Sequence, residues 1–236
     1  MTTLLVIAKE PVPGRVKTRL CPPFSPAQAA LLAEAALADT LAVVAGLPAE
    51  RRVLVLDGTA RDWLPSGFDV VPQGTGRLDE RLAAAFALCT GPALLVGMDT
   101  PQLSADVLAP VLAPRAWHEH DAWFGPAADG GFWALGLAAP DPELLRGVPM
   151  SVPGTGAAQR RRLVGAGLRV GDLPTLRDVD TAADARLVAR EAAGSRFAAV
   201  YARLVPASTG PDRADRSRTR PAAARPGDGR SPAGPR

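Results

Sequence analysis

Cysteine, histidine and lysine are nearly absent from this chain of 236 residues, which has two of each. Cys21 and Cys89 stand far apart and form no CxxC pair, which excludes a disulfide framework or a zinc site of ordinary spacing. His118 and His120 share one short segment beside a Pro-rich turn and read as surface residues, because a zinc centre needs three or more ligands. The phosphate loop GxxxxGK[ST] and the nucleophile elbow GxSxG are both missing. No unbroken run of about 18 apolar residues occurs, so no membrane-spanning helix is expected. The N-terminus opens directly on a strand-like segment, without a basic leader or cleavage site, and the expectation is a cytoplasmic protein.

The net charge of +3 is unevenly spread. Residues 206–236 hold seven Arg and three Asp, which leaves residues 1–205 with 20 basic and 21 acidic side chains. The basic character therefore belongs to the tail, and the body gives no reason to expect nucleic-acid binding. Beyond Pro206 nothing apolar larger than Ala or Pro occurs, so residues 206–236 are expected to be disordered. Residues 1–205 are expected to form one domain. Oligomeric state is not legible.

Strand-like and helix-like segments alternate along the body. Leu4 to Ala8 reads as a buried strand. Pro11, Pro13, Pro22 and Pro23 make the next stretch a loop, and Ser25-Pro26 opens a long helix running to about Gly46. Strands are expected at Arg52 to Leu56, Phe68 to Val71 and Ala93 to Gly97, with helices from Leu78 and after Ser104. Strands at Ala122 to Gly125 and Phe132 to Leu137 flank Asp129-Gly130-Gly131. A helix at Gly156 to Gly165, a strand at Leu168 to Val170, and one final helix from Thr181 to near Leu204 complete the body. This order predicts an α/β fold with a mostly parallel central sheet and helices on both faces, binding ligands at the carboxyl ends of its strands.

Five segments could carry chemistry. Both lysines, Lys9 and Lys17, fall in the loop after the first strand, together with Gly14, Arg15 and Arg19. A lysine ammonium is a compact charge suited to phosphate oxygens, and a glycine lets backbone approach a ligand. A solvated surface loop is the plainer alternative. Asp99 follows a buried strand directly, where a carboxylate suits Mg²⁺ or Mn²⁺ bridging a diphosphate; capping the turn before Pro101 is the alternative. Asp129-Gly130-Gly131 is a turn signal, or a loop lining an acceptor side with Asp129 as base. Asp178 and Asp180 precede a helix, with Asp180 offering a second metal ligand or a helix cap. Gln73, Gly74, Gly76 and Arg81 surround a helix start that could hold an anion or a base edge.

Taken in order, Lys9-x-Pro-x-Pro-Gly14-x-x-Lys17-Thr-Arg19-Leu20, Gln73-Gly-x-Gly-x-Leu-x-Glu-Arg81, Gly-x-Asp99-x-Pro101, Gly125-Pro-Ala-x-Asp129-Gly-Gly131 and Asp178-Val-Asp180-Thr181 resemble the DUF2064 group of GT-A-like glycosyltransferases. Some members of that group are labelled arsenosugar-biosynthesis glycosyltransferases. The resemblance spans about residues 2–190. It implies a single GT-A domain related to molybdenum-cofactor and phospholactate guanylyltransferases. The pattern is departed from in three places: Asp79 stands for an expected Gly, Phe132-Trp133 for a Tyr pair, and an expected Trp is missing after Ser151-Val152.

The mechanism expected on these grounds puts Mg²⁺ or Mn²⁺ on Asp99 and Asp180, against the diphosphate of a nucleotide or nucleotide-sugar donor. Lys9, Arg15, Lys17 and Arg19 would neutralise phosphate charge, with Lys17, Asp99 and Asp129 as the catalytic set and Asp129, Gly130 and Gly131 on the side of a small-molecule acceptor. Three readings stay open: sugar transfer, transfer of a nucleoside monophosphate with release of pyrophosphate, and nucleotide binding without turnover.

Overall fold

The computed structural model describes residues 1–205, which form one compact unit. The tail 206–236, expected to be disordered, lies outside the described residues.

Seven strands make one sheet: β1 (Thr3–Lys9), β2 (Arg51–Asp57), β3 (Asp69–Pro72), β4 (Ala93–Gly97), β5 (Ala122–Pro126), β6 (Phe132–Leu137) and β7 (Val170–Asp172). Their spatial order is β3-β2-β1-β4-β6-β5-β7. Strands β3, β2, β1 and β4 are mutually parallel, and β5 pairs with β7 in parallel. Strand β6 runs antiparallel to both neighbours, because a hairpin joins it to β5. The chain leaves β1 toward β2 and β3, then returns to lay β4 on the other side of β1. That reversal opens a crevice at the carboxyl ends of β1 and β4.

Helices cover both faces. Side chains alternate along β1, with Leu4, Val6 and Ala8 packed beneath α1 (Pro26–Gly46), α3 (Ala105–Leu112) and α4 (Ala116–Glu119). Leu5 points to the opposite face, where Leu82 and Phe86 of α2 (Leu78–Phe86) and Leu163 of α5 (Thr155–Gly165) close the core. A third cluster joins the outer side of α1 to α6 (Ala182–Glu191) and α7 (Arg196–Leu204).

Helix α1 starts where the sequence signals a start. The Ser25 hydroxyl accepts from the Gln28 N–H, the Gln28 side chain accepts from the Ser25 N–H, and Pro26 occupies the first turn. By length and composition alone α1 would suffice to cross a membrane, yet 61% of its apolar window is buried inside the fold. Glu34 and Asp39 interrupt its apolar run, so a search for unbroken hydrophobicity overlooks it. Its apolar residues are spent inside the fold: Leu37 and Leu41 face the sheet while Leu32 and Ala36 face α6 and α7. Burial of each of these leucines stabilises by about 2 kcal/mol.

The single final helix expected from Thr181 to Leu204 is two helices. Helix α6 ends at Glu191, and Ser195 caps α7 by accepting from the Ala198 N–H. Asp39 of α1 accepts from the N–H groups of Arg196 and Phe197, satisfying donors that a continuous helix would have used internally. His120 is also less exposed than expected. Its ring packs at a tilt against Trp123 with centroids 4.5 Å apart, while His118 stays at the surface.

Candidate active site

The carboxyl ends of β1 and β4 are neighbours, with Ile7 opposite Gly97. Each strand turns there into a loop bearing charge: Glu10 to Leu20 after β1, which itself ends on Lys9, and Met98 to Pro101 after β4. The Lys9 N–H donates to the Met98 sulfur at 3.2 Å, which joins the two loops. A third segment, Pro174 to Thr181, crosses the same sheet edge. Trp133 holds it through an indole N–H donated to the Pro174 carbonyl at 3.0 Å. The Ala128 N–H donates to the Leu176 carbonyl at 2.8 Å, and the Val179 N–H to the Asp99 carbonyl at 2.9 Å. These bonds set Asp178 and Asp180 beside Asp99.

Lys17 completes the cluster. Its backbone takes the left-handed conformation, φ 48°, which costs a non-glycine residue about 1 kcal/mol and is held by the burial of Val16 and Leu20 on either side. Its ammonium lies 2.9 Å from Asp99 Oδ2 and 3.0 Å from Asp180 Oδ1, and its side chain is 10% exposed. Burial alone would lower the Lys17 pKa. The two carboxylates outweigh burial and hold it above the ordinary lysine value. The expected phosphate ligand is thus engaged between the two expected metal ligands. Arg19 reaches Asp180 at 3.7 Å from an exposed position, and Lys9 and Arg15 are exposed.

Asp178 is the member of this cluster that the expected ligand set omitted. Its Oδ1 is buried without a hydrogen-bond partner, as is Oδ1 of Asp99. Burial, then the charges of Asp99 and Asp129, push the Asp178 carboxyl up to about 7. The sequence signal was there, since Asp178 sits two residues from Asp180, but an alternating pair does not say which member faces inward.

A cavity of about 860 Å³ opens over these groups. Lys9, Arg15, Lys17, Arg19, Gln73, Arg81, Asp99, Asp129, Gly131 and Asp180 all line it. Gly14, Gly74, Gly76 and Gly130 belong to the loops and turns that carry these residues rather than to the lining itself. Gly14, Gly76 and Gly130 serve their turns instead, each with a positive φ. Gln73 is also otherwise engaged: its amide N–H donates to the Ala8 carbonyl at 2.7 Å and its oxygen accepts from Arg81 at 3.0 Å. It braces Arg81, whose Nε is buried without a partner.

Asp129 is exposed, and its Oδ1 accepts from the Gly131 N–H at 2.8 Å, the turn role considered for it, while the residue also lines the cavity. The far wall comes from Phe132 and a segment from Met150 to Thr155 in which Ser151 has φ 59°. Sequence reading noted Ser151-Val152 only as a departure, because nothing local marks the segment as site-lining. Asp79, another of the departures, is buried. It accepts from the Gly147 N–H at 2.8 Å and pairs with Arg77, tying the start of α2 to the chain before that wall.

The donor set at Asp99 and Asp180 suits a divalent cation. The pair already bridges one positive charge, and Asp99 keeps an unpartnered buried oxygen. Among the described residues no three acidic, histidine or cysteine groups converge as a closed metal cage. That is the arrangement of an ion that takes one or two carboxylates and completes its shell with water and substrate oxygens, as Mg²⁺ does.

The profile of a family described as "Uncharacterized protein conserved in bacteria (DUF2064)" matches residues 31–152, just over half of the chain. The chain belongs to the DUF2064 family. A crystal structure from Desulfovibrio desulfuricans G20, of a protein provisionally named a nucleotide-diphospho-sugar transferase, is 26% identical with a TM-score of 0.75, covering 84% of this chain and 93% of that one. Rv0371c from Mycobacterium tuberculosis H37Rv shares the fold at 21% identity and a TM-score of 0.51, over 79% of this chain and 96% of that one. Comparison with curated proteins found no match. The DUF2064 chain thus has the nucleotide-diphospho-sugar transferase fold, the GT-A-like α/β architecture expected from its motifs.

Proposed function

We propose that this DUF2064 protein is a metal-dependent transferase that moves a sugar from a nucleotide-sugar donor to a small-molecule acceptor. One observation carries the reading: Asp99 and Asp180 face each other across a single positive charge at the sheet's switch point, inside a cavity large enough for a nucleotide. The provisional name of the Desulfovibrio relative supports it.

On this reading Asp99 and Asp180 hold Mg²⁺ or Mn²⁺, which when bound neutralises the donor diphosphate and stabilises charge on the leaving group. Lys9, Arg15 and Arg19 line the same cavity and bring further positive charge to the phosphates. Arg81, braced by Gln73, offers a guanidinium to the donor from the opposite wall. Asp129 stands on the acceptor side. One of its oxygens serves the turn, and the carboxylate takes the proton of the acceptor hydroxyl as the new bond forms. Positioning and electrostatics carry the rate.

A second reading, transfer of a nucleoside monophosphate with release of pyrophosphate, draws on the same loop. Two lysines and two arginines within eleven residues suit charge developing on an α-phosphate. The products distinguish the two. Incubation with Mg²⁺ and panels of nucleotide sugars and of nucleoside triphosphates should release a nucleoside diphosphate from the first panel. Pyrophosphate from the second would establish the alternative. Absence of both, with nucleotide binding retained in chelator, would make the protein a binder without turnover. Asp99→Ala should lower turnover by at least roughly a hundredfold. Full activity in that variant would remove Asp99 from the mechanism.

A further inference from the structure

The metal pair and the loop lysine are in direct contact, and this has a consequence for how the site fills. We propose that Lys17 is a built-in counter-ion occupying the metal seat, and that a divalent cation arriving between Asp99 and Asp180 displaces its ammonium toward the phosphate oxygens of the donor. The proposal rests on the reading of Asp99 and Asp180 as metal ligands.

The geometry forces the exchange. The ammonium sits 2.9 and 3.0 Å from one oxygen of each carboxylate and bridges the two. Mg²⁺ needs its oxygens at about 2.0–2.1 Å. A dication bridging the same two oxygens would lie within a few ångströms of the ammonium, whose side chain is only 10% exposed, and the two like charges would repel. Both cannot stay. The backbone of Lys17 is the fixed part, since Val16 and Leu20 are buried and the Leu20 N–H donates to the Lys17 carbonyl at 2.9 Å. The side chain is the movable part, a flexible four-carbon stem facing a cavity that Lys9, Arg15 and Arg19 also line.

Charge balance gives the exchange its use. With Lys17 in the seat, one positive charge faces two negative ones. With a dication in the seat and Lys17 released, these three groups and the ion together carry a net positive charge next to the diphosphate position. The metal alone is opposed by Lys17, and the donor alone meets a site whose nearest cation is turned inward. Metal and diphosphate therefore bind with positive coupling, each favouring the other.

Two measurements test this. Manganese affinity is read by electron paramagnetic resonance on the wild type, Lys17→Met and Asp99→Asn, without nucleotide. Lys17→Met should bind Mn²⁺ roughly tenfold more tightly than the wild type, and Asp99→Asn should lose it. Equal or weaker binding by Lys17→Met, with Asp99→Asn still losing the ion, would overturn the counter-ion role and leave the metal pair standing. Undiminished binding by Asp99→Asn would remove the metal pair itself, and the exchange with it.

The second measurement needs no altered seat. The chain has two lysines, so ¹³C-lysine labelling of the intact protein gives two side-chain ε-methylene signals, and Lys9→Arg assigns them. Adding Mg²⁺ with inorganic pyrophosphate should shift the Lys17 signal strongly, and more than Mg²⁺ alone. A Lys17 signal unmoved at saturating Mg²⁺ and pyrophosphate would overturn the proposal even where Lys17→Met does not fold.

Discussion

Asp178 is a carboxyl held far from the ordinary chemistry of its type. Its carboxyl titrates near 7 in the folded protein, through burial and then through Asp99 and Asp129, against an ordinary value of 3.8. Between those two values the folded chain keeps a proton that the unfolded chain has lost. Its contribution to stability therefore falls as pH rises from about 4 to 7, and levels off above 7. Asp178→Asn, which fixes the neutral form, should raise the stability of the metal-free protein at pH 8 by roughly 1–3 kcal/mol, a gain that shrinks toward zero near pH 4. Thermal melts of both proteins across that range check it, and a gain that grew as pH fell would reverse the assignment. Lys17 shows the same low-water environment acting on the opposite charge: there two carboxylates outweigh burial, and the cation is kept.

At the scale of elements, the site depends on how closely α5 approaches the β5–β6 hairpin. The Gly156 N–H donates to the Gly130 carbonyl at 2.8 Å, and a Cβ at Gly156 would collide with the Gly131 carbonyl oxygen. That contact sets the Asp129 turn and the Ser151 wall on the two sides of one crevice. Gly156→Ala should destabilise the protein by about 1–3 kcal/mol and weaken nucleotide binding, because the first turn of α5 and the turn at Asp129 must move apart. Urea unfolding and nucleotide titration measure the two effects. A variant as stable as the wild type would mean that the hairpin yields freely. The α6–α7 break obeys a similar logic: Ser195 and Asp39 together supply the acceptors that α7 needs at its start, so two short helices wrap α1 where one long helix would run past it.

For the whole molecule, the compact unit ends at Val205 and the basic excess begins just after it. A chain ended at Val205 should bear a net charge of −1 at pH 7, pass through a cation exchanger that retains the full chain, and melt within about 2 °C of it. A larger fall in melting temperature would give the tail a part in the fold.

Much of the architecture was legible one segment at a time. The Ser25-Pro26 start of α1, the bounds of β4, and the Ser104 start of α3 follow from caps, proline and apolar runs, all set by neighbours along the chain. The gathering of both lysines in one loop was equally plain. Glycine is ambiguous in sequence: close approach to a ligand and a positive φ both call for it, and Gly14, Gly76 and Gly130 have the positive φ. Hydrophobic period and turn residues are local properties, and they are enough to place these charged groups at strand ends. Only the tertiary structure decided that the Lys17 ammonium lies between Asp99 and Asp180, the latter 163 residues away. That contact exists because β4 returns to lie beside β1 and the Pro174–Thr181 segment crosses their ends. Strand order of this kind is set by packing of the whole sheet, and no local pattern carries it.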